Sequence, residues 1–319
     1  MDVAVIAGII MIISVVVMLV MGVPIGISIG MSSALAMITI LPFGPGIVTC
    51  AQKMFTGVNS FSLLAIPFFI LAGNIMNNGG IAIRLVNCAR LISGRLPGSL
   101  AQTNIVANML FGAISGSGTA AAAAIGGTMA PIELEEGYDK DYVAAVNIAS
   151  APTGQLIPPS NTLIVYATVA GSVSVAALFM AGYIPGIAWG ISLMFIAGYM
   201  AKRRGYVSTF SVTPKEALKV LWDALPSLLL IIIVIGGILK GVFTATEGSA
   251  IAVVYALILS LCYRSLKIKD LPSIILSSCK TTCIVIFMIG VSSIMSWVMA
   301  YTMIPTAIAN AMLSLSSNK

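Results

Sequence analysis

The chain has no histidine among its 319 residues, and only 8% of them are Asp, Glu, Lys or Arg. Without imidazole, histidine metal centres and histidine pH switches are excluded. A soluble domain carries about 25% charged residues, so this chain lacks the charge to solvate a globular surface. No charged side chain occurs between Asp2 and Lys53, between Arg95 and Glu133, or from Tyr142 to Ala201. The five cysteines are scattered; only Cys279 and Cys283 stand one helical turn apart, and they read as small apolar packing residues. No paired acids, activated nucleophile or metal cluster sits within the apolar runs, which argues against an intramembrane enzyme.

What the chain does have is apolar length. Hydrophobic residues make up 59% of it, with a mean hydropathy of +1.08. A helical membrane span needs about 20 such residues, and the alternating segments of about 10 residues that mark a membrane β-barrel are absent. The fold class is therefore an all-α polytopic membrane protein. Residues 1–21 lack the basic start of a secretory signal and read as the first span. Further spans fall at 25–42, 61–76, 142–170, 173–200, 227–239 and 249–262.

Most basic residues gather in three groups: Arg84, Arg90 and Arg95; Lys202, Arg203, Arg204, Lys215 and Lys219; and Arg264, Lys267 and Lys269. The net charge of +6 would suggest nucleic acid in a soluble protein; here its clustering sets orientation. With all three groups cytoplasmic, the positive-inside rule is met and the N-terminus lies outside. Residues 99–132 are too few for two full crossings, so length favours a re-entrant hairpin; charge does not separate the two readings. The acidic loop Glu133, Glu135, Glu136, Asp139 and Asp141 reads as a solvated hinge, and 82–95 as an amphipathic interfacial segment. Glu247 suits the first turn of a helix.

Two breaks interrupt uncharged sequence: Ser115-Gly116-Ser117-Gly118-Thr119, and Leu156-Ile157-Pro158-Pro159-Ser160-Asn161-Thr162. At lipid depth each unpaired backbone N–H or C=O costs several kcal/mol, so protein, water or ions must satisfy the freed groups. Ser115, Ser117 and Thr119 supply hydroxyls, and Gly116 and Gly118 let the backbone turn. Pro158 and Pro159 lack N–H groups, which frees carbonyls near Thr153, Gly154 and Gln155. Ser160, Asn161 and Thr162 add polar side chains. No carboxylate lies in either break, so a hard cation held by neutral oxygens fits better than a proton relay. Na⁺ meets that description, among others, and half-helix N-termini suit anionic substrates. A small-residue packing seam and a plain proline kink are the structural alternatives.

Several stretches resemble the large membrane subunit of bacterial tripartite ATP-independent periplasmic (TRAP) transporters. They are Ser60-Phe61-Ser62-Leu63-Leu64-Ala65-Ile66-Pro67-Phe68-Phe69-Ile70-Leu71-Ala72-Gly73, Phe111-Gly112-Ala113-Ile114-Ser115-Gly116-Ser117-Gly118, Ile157-Pro158-Pro159-Ser160, Ala181-Gly182-Tyr183-Ile184-Pro185-Gly186 and Gly241-Val242-Phe243-Thr244-Ala245-Thr246-Glu247. The resemblance covers essentially the whole chain, in order. It implies an elevator-type, Na⁺-coupled importer of small organic anions (C4-dicarboxylates or sugar acids) in the bacterial inner membrane. Such a subunit needs no cofactor beyond the coupling ion. It works with a small four-span membrane subunit and a periplasmic substrate-binding protein.

Carried over, the family's hairpin tip falls on Ser115, Gly116, Ser117, Gly118 and Thr119. Its unwound helix spans 154–162, with Gly154, Pro158, Pro159, Ser160, Asn161 and Thr162. The implied organisation is scaffold spans at 1–60, a first transport repeat at 61–170 with hairpin 99–132 and broken helix 142–170, scaffold again at 171–270, and a second, inverted repeat beginning at 271–319. The chain reaches Ser317-Asn318-Lys319 about where the second hairpin should begin, so that repeat is expected to be incomplete. A non-transporting membrane scaffold is the rival of a different class.

Overall fold

The computed structural model describes residues 3–171, 173–206 and 212–315, without the side chains of 311, 312 and 315. Ser317-Asn318-Lys319, where the sequence places the start of a second hairpin, lie outside the described residues. Within them the chain is helical throughout and forms two compact units, residues 1–60 with 280–319, and residues 61–279.

The first unit holds α1 (Val3–Val20), α2 (Ile25–Ile40) and α3 (Phe43–Val58). The span expected at 1–21 matches α1; at 25–42 there is the apolar helix α2, which is shorter than the six spanning stretches. The third falls between the spans read at 25–42 and 61–76, where no span was expected. The unit's core joins Ala7 and Met11 of α1 to Ala36 and Met37 of α2 and to Ile294 and Val298. Ser28, Ser32 and Ser33 are buried on α2. Ser32 and Ser33 return their hydroxyls to the Ile29 carbonyl, Ser33 at 2.7 Å, and Ser28 donates to the Val23 and Pro24 carbonyls just ahead of the helix, so none is left unpaired in apolar surroundings.

The second unit begins with the 3-10 turn Phe61–Leu64 and α4 (Ala65–Asn78), followed by α5 (Ile81–Ser93), α6 (Ser99–Ser115) and α7 (Gly118–Glu135). Next come α8 (Lys140–Ser150), α9 (Thr153–Leu156), α10 (Asn161–Ala170), α11 (Val175–Arg204), α12 (Pro214–Leu239) and α13 (Ala245–Cys262). Finally α14 (Leu271–Tyr301) runs through both units, and α15 (Ile304–Leu315) belongs to the first. Among the described residues six helical stretches are long and apolar enough to cross a membrane: Val3–Val20, Phe61–Asn78, Val175–Arg204, Pro214–Leu239, Ala245–Cys262 and Ile268–Tyr301.

At the centre of the second unit lies α6, buried along almost its whole length against α5, α7, α8, α9 and α11. It is joined to α7 by the two residues Gly116 and Ser117. The far ends of the two arms also meet, at Asn104 and Glu133. The arms therefore run antiparallel and return to the side from which they started. The second arm is longer than the sequence suggests, continuing through Pro131 to Glu135.

Several local expectations need correction. The amphipathic segment α5 buries Ile81, Leu85, Val86 and Ala89 against protein, packing on α6 and α12. Its Arg84 pairs with Asp223 at 3.1 Å and covers the ring of Tyr263. The acidic loop is anchored at Asp139, which pairs with Arg204 and accepts from the Tyr206 hydroxyl at 2.8 Å. Tyr206 and Arg204 together hold that carboxyl below the usual range. Three cysteines, Cys262, Cys279 and Cys283, are exposed rather than packed inside.

Helices α12 and α13 both open with a capping box. In the second, Thr244 accepts from the Glu247 N–H, and the Glu247 carboxylate accepts from the Thr244 N–H at 2.7 Å. This gives Glu247 the structural role read from the sequence. Losing such a cap costs about 1 kcal/mol. Thr244→Val should therefore lower the thermal unfolding midpoint of the detergent-purified protein by a few degrees, while Thr244→Ser leaves it in place.

Candidate functional site

The two breaks of the sequence meet in space. At the hairpin tip α6 ends on Gly116, whose φ of +63° is the left-handed conformation that favours glycine. Ser117 then turns extended and caps α7, its hydroxyl accepting from the Ala120 N–H at 3.3 Å and sharing a bond with the Thr119 hydroxyl at 3.0 Å. At the second break α10 starts in the same way. Ser160 is extended, and its hydroxyl accepts from the Leu163 N–H at 3.3 Å. Two half-helices thus open on serine caps. The Asn161 N–H at the start of α10 donates to the Gly116 carbonyl at 3.1 Å, a direct main-chain bond from one break to the other.

Glycine makes this approach possible. A Cβ on Gly116 would stand 2.8 Å from the Pro159 carbonyl oxygen, and one on Gly118 would stand 2.9 Å from that of Ala151. Gly112, one turn below the tip, and Gly154 cross backbone to backbone, so that a Cβ on either would collide with the other's Cα. Along α11, Gly182 and Gly186 leave room for Leu156 and Ile157; their Cβ atoms would come within 2.5 Å of the Leu156 carbonyl oxygen and 2.6 Å of the Ile157 side chain. This supplies a physical reason for the Gly-x-x-x-Gly spacing at 182–186.

The broken helix departs from the sequence reading in one respect. Ahead of the Pro158-Pro159 pair the helix already tightens at Ala151-Pro152, which keep right-handed helical dihedrals and accept from the Gly154 and Gln155 N–H groups; the single turn α9 follows, and the chain becomes extended at Ile157. Of the three carbonyls expected to be freed, Thr153 still accepts from the Ile157 N–H at 2.8 Å, and Gln155 accepts from the Ser160 hydroxyl. The helical partners of Gly154 and Gln155 would be Pro158 and Pro159, neither of which has an N–H to give. Hydroxyl chemistry inside the break thus takes over part of the backbone's needs.

Ser115, Gly116, Gly118, Gly154, Pro158, Pro159 and Ser160 are buried, Ser117 and Asn161 are half-buried, and Thr119 and Thr162 are exposed beside Gln155. Exposed polar side chains and buried backbone thus occur together in the two segments. The Asn161 side-chain oxygen is buried with no hydrogen-bond partner. Such an acceptor is costly to bury unless something binds it. Every oxygen in the two segments is a neutral hydroxyl, amide or carbonyl oxygen. Among the described residues no group of three His, Cys, Asp or Glu side chains gathers anywhere.

Sequence reasoning missed the layer beneath. Asn108 on α6 donates to the Asn104 side chain at 2.8 Å, to Ser150 at 2.9 Å and to Asn147 at 3.2 Å. Asn147 in turn donates to the Ala122 carbonyl on α7 at 3.0 Å, and the Thr153 hydroxyl donates to the Ser150 carbonyl at 2.6 Å. These bonds tie both hairpin arms to the helix that breaks. The i, i+4 spacing of Asn104 and Asn108 in an otherwise apolar arm was a readable signal.

The family model for the DctM component of the tripartite ATP-independent periplasmic transporters matches residues 12–319. The uncharacterized protein YgiK of Salmonella typhimurium is 52% identical over 288 residues, which are 90% of this chain and 66% of that protein. The sialic acid TRAP transporter large permease protein SiaM of Vibrio cholerae is 37% identical over 89% of the chain and 66% of its own length. The C4-dicarboxylate TRAP transporter large permease protein DctM of Rhodobacter capsulatus is 36% identical, over 84% and 64%. The chain thus spans just under two thirds of the length of these relatives.

The glycine crossing gives a direct test. Gly112→Ala puts a methyl group into the Gly154 backbone and should destabilise the protein by about 1–3 kcal/mol, as overpacking does. Gly127→Ala, on the open side of α7 where a Cβ meets nothing within 4 Å, should be neutral or stabilising by up to about 1 kcal/mol. Thermal unfolding in detergent compares the two.

Proposed function

Because the chain belongs to the DctM component family of the tripartite ATP-independent periplasmic transporters, a transporter family of the inner membrane, we propose that it is the large permease subunit of a Na⁺-coupled importer of small organic anions. The observation that carries this reading is the bond from the Asn161 N–H to the Gly116 carbonyl, which brings two serine-capped half-helix starts side by side. A pair of helix N-termini with free N–H groups attracts a carboxylate. Carbonyl, amide and hydroxyl oxygens around them offer a hard monovalent cation neutral ligands.

On this reading Na⁺ is held by oxygens from 115–119 and 154–162, with Asn161 Oδ1 as the ligand that has no other partner. The anion approaches from the edge that carries Thr119, Gln155 and Thr162. The cation offsets the anion's charge, so each strengthens binding of the other. Movement of the site across the bilayer follows the elevator pattern, with the hairpin and the broken helix travelling together because α6, α7, α8 and α9 share one buried bonding network. The proposed partners are a small four-span membrane subunit and a periplasmic binding protein that delivers the substrate. The named substrates of the relatives, sialic acid and C4-dicarboxylates, share a carboxylate, and that is the chemistry proposed for the cargo here.

Uptake of an organic acid into proteoliposomes, with the small subunit and the binding protein supplied, tests this. Removing one oxygen ligand should raise the Na⁺ concentration for half-maximal uptake about tenfold, equivalent to about 1.4 kcal/mol. Ser117→Ala and Ser160→Ala should each show that rise. Unchanged Na⁺ dependence in both variants excludes the assignment.

A further inference from the structure

At the opposite end of the hairpin from the tip, in the last turn of α7 and outside the six spanning helices, Glu133 is completely buried. One carboxyl oxygen, Oε2, accepts from the Asn104 amide at 3.4 Å, a long bond; the other, Oε1, has no hydrogen-bond partner. Asn104 and Asn108 are themselves fully buried. A carboxylate removed from water without a compensating charge is costly, and it either pairs with a cation or takes up a proton.

The surroundings point to the proton. Helices α4, α6 and α9, which pack on α7, carry no titratable side chain. From α5 come Arg84, which pairs with Asp223, and Arg90, which has contacts of its own. From α8 come Lys140, Asp141 and Tyr142, and the loop between α7 and α8 adds Glu136, Tyr138 and Asp139, the last paired with Arg204. Glu135 stands on the same helix. The two tyrosines interact electrostatically with Glu133 without offering it a positive charge.

We propose that Glu133, held by Asn104, is a proton-binding site at the foot of the hairpin. The proton enters from water and leaves to water, with no other bond made or broken. Asn104 accepts from Asn108, Asn108 donates to Ser150, and the Ser150 carbonyl receives the Thr153 hydroxyl at the start of α9. Burial pushes the carboxyl up to about 7, against a smaller downward pull from the Asn104 bond. The site lies apart from the two breaks, so it stands or falls independently of Na⁺ binding there.

Infrared spectroscopy of the purified full chain reads this without any transport assay. The wild type should show a protonated-carboxyl band that persists above the ordinary titration range near 4.5 and is lost as pH passes about 7. Glu133→Gln should abolish that band. Asn104→Ala, which removes the donor that favours the charged form, should move its loss to higher pH. The folded state holds this proton where the unfolded chain has released it, so the wild-type melting temperature should fall between about pH 4.5 and about 7. The Glu133→Gln midpoint should lack that part of the fall.

Titrations in Na⁺ and in K⁺ should coincide; a midpoint that drops in Na⁺ alone would assign the site to the metal ion and overturn the proton assignment. Absence of a carboxyl band above pH 5.5, or its persistence in Glu133→Gln, would overturn the proposal as well. If Glu133→Gln does not fold, the Asn104→Ala shift decides, and an unmoved midpoint there counts against it.

Discussion

Everything at this site depends on one constraint: backbone polar groups placed at membrane depth need partners, and water is scarce there. The chain interrupts its helices twice in uncharged sequence and meets the constraint by setting the two interruptions against each other. The Gly116 carbonyl receives the Asn161 N–H, the Gln155 carbonyl receives the Ser160 hydroxyl, and each new half-helix starts on a serine cap. Four glycines, Gly112, Gly116, Gly118 and Gly154, are required for the backbones to come this close. Stability and site geometry are therefore one problem: a methyl group that destabilised the crossing would also separate the two breaks.

The rest of the second unit serves that crossing. Helix α6 is its buried axis, and the amides of Asn108 and Asn147 fasten α6, α7 and α8 to one another. Hydrogen bonds between side chains in an apolar interior are directional where hydrophobic contacts are not. They fix the register of the hairpin against the helix that breaks. On the other flank the glycine stripe of α11 lets that helix settle on Leu156 and Ile157, while Thr119, Gln155 and Thr162 stay exposed.

Much of this was legible in the sequence, for chemical reasons. Apolar runs without charge have one stable outcome in a membrane, so the spans near 1–21 and 249–262 could be placed to within a few residues. Gly-Ser repeats and Pro-Pro cannot continue a helix, so both breaks were visible. What could not be read was contact. Gly112 looks like any small residue until Gly154 is found against it. The moment that makes α5 amphipathic does not say whether its apolar face meets lipid or protein; α6 and α12 decide that. The tightened turn at Ala151-Pro152 was hidden because a lone proline inside a helix leaves most of its bonds in place, and α3 was hidden because its glycine- and proline-containing first turn resembles a loop. Glu133 was placed in a solvated loop because acidic neighbours surround it in sequence; the fold turns it inward.

The most direct test of the account is a high-resolution cryo-electron microscopy map of the permease in Na⁺ compared with one in choline. The account predicts density for an ion touching oxygens of both 115–119 and 154–162 in Na⁺, lost in choline. Two segments packed dry against each other in both maps, or ion density coordinated by neither, would contradict it.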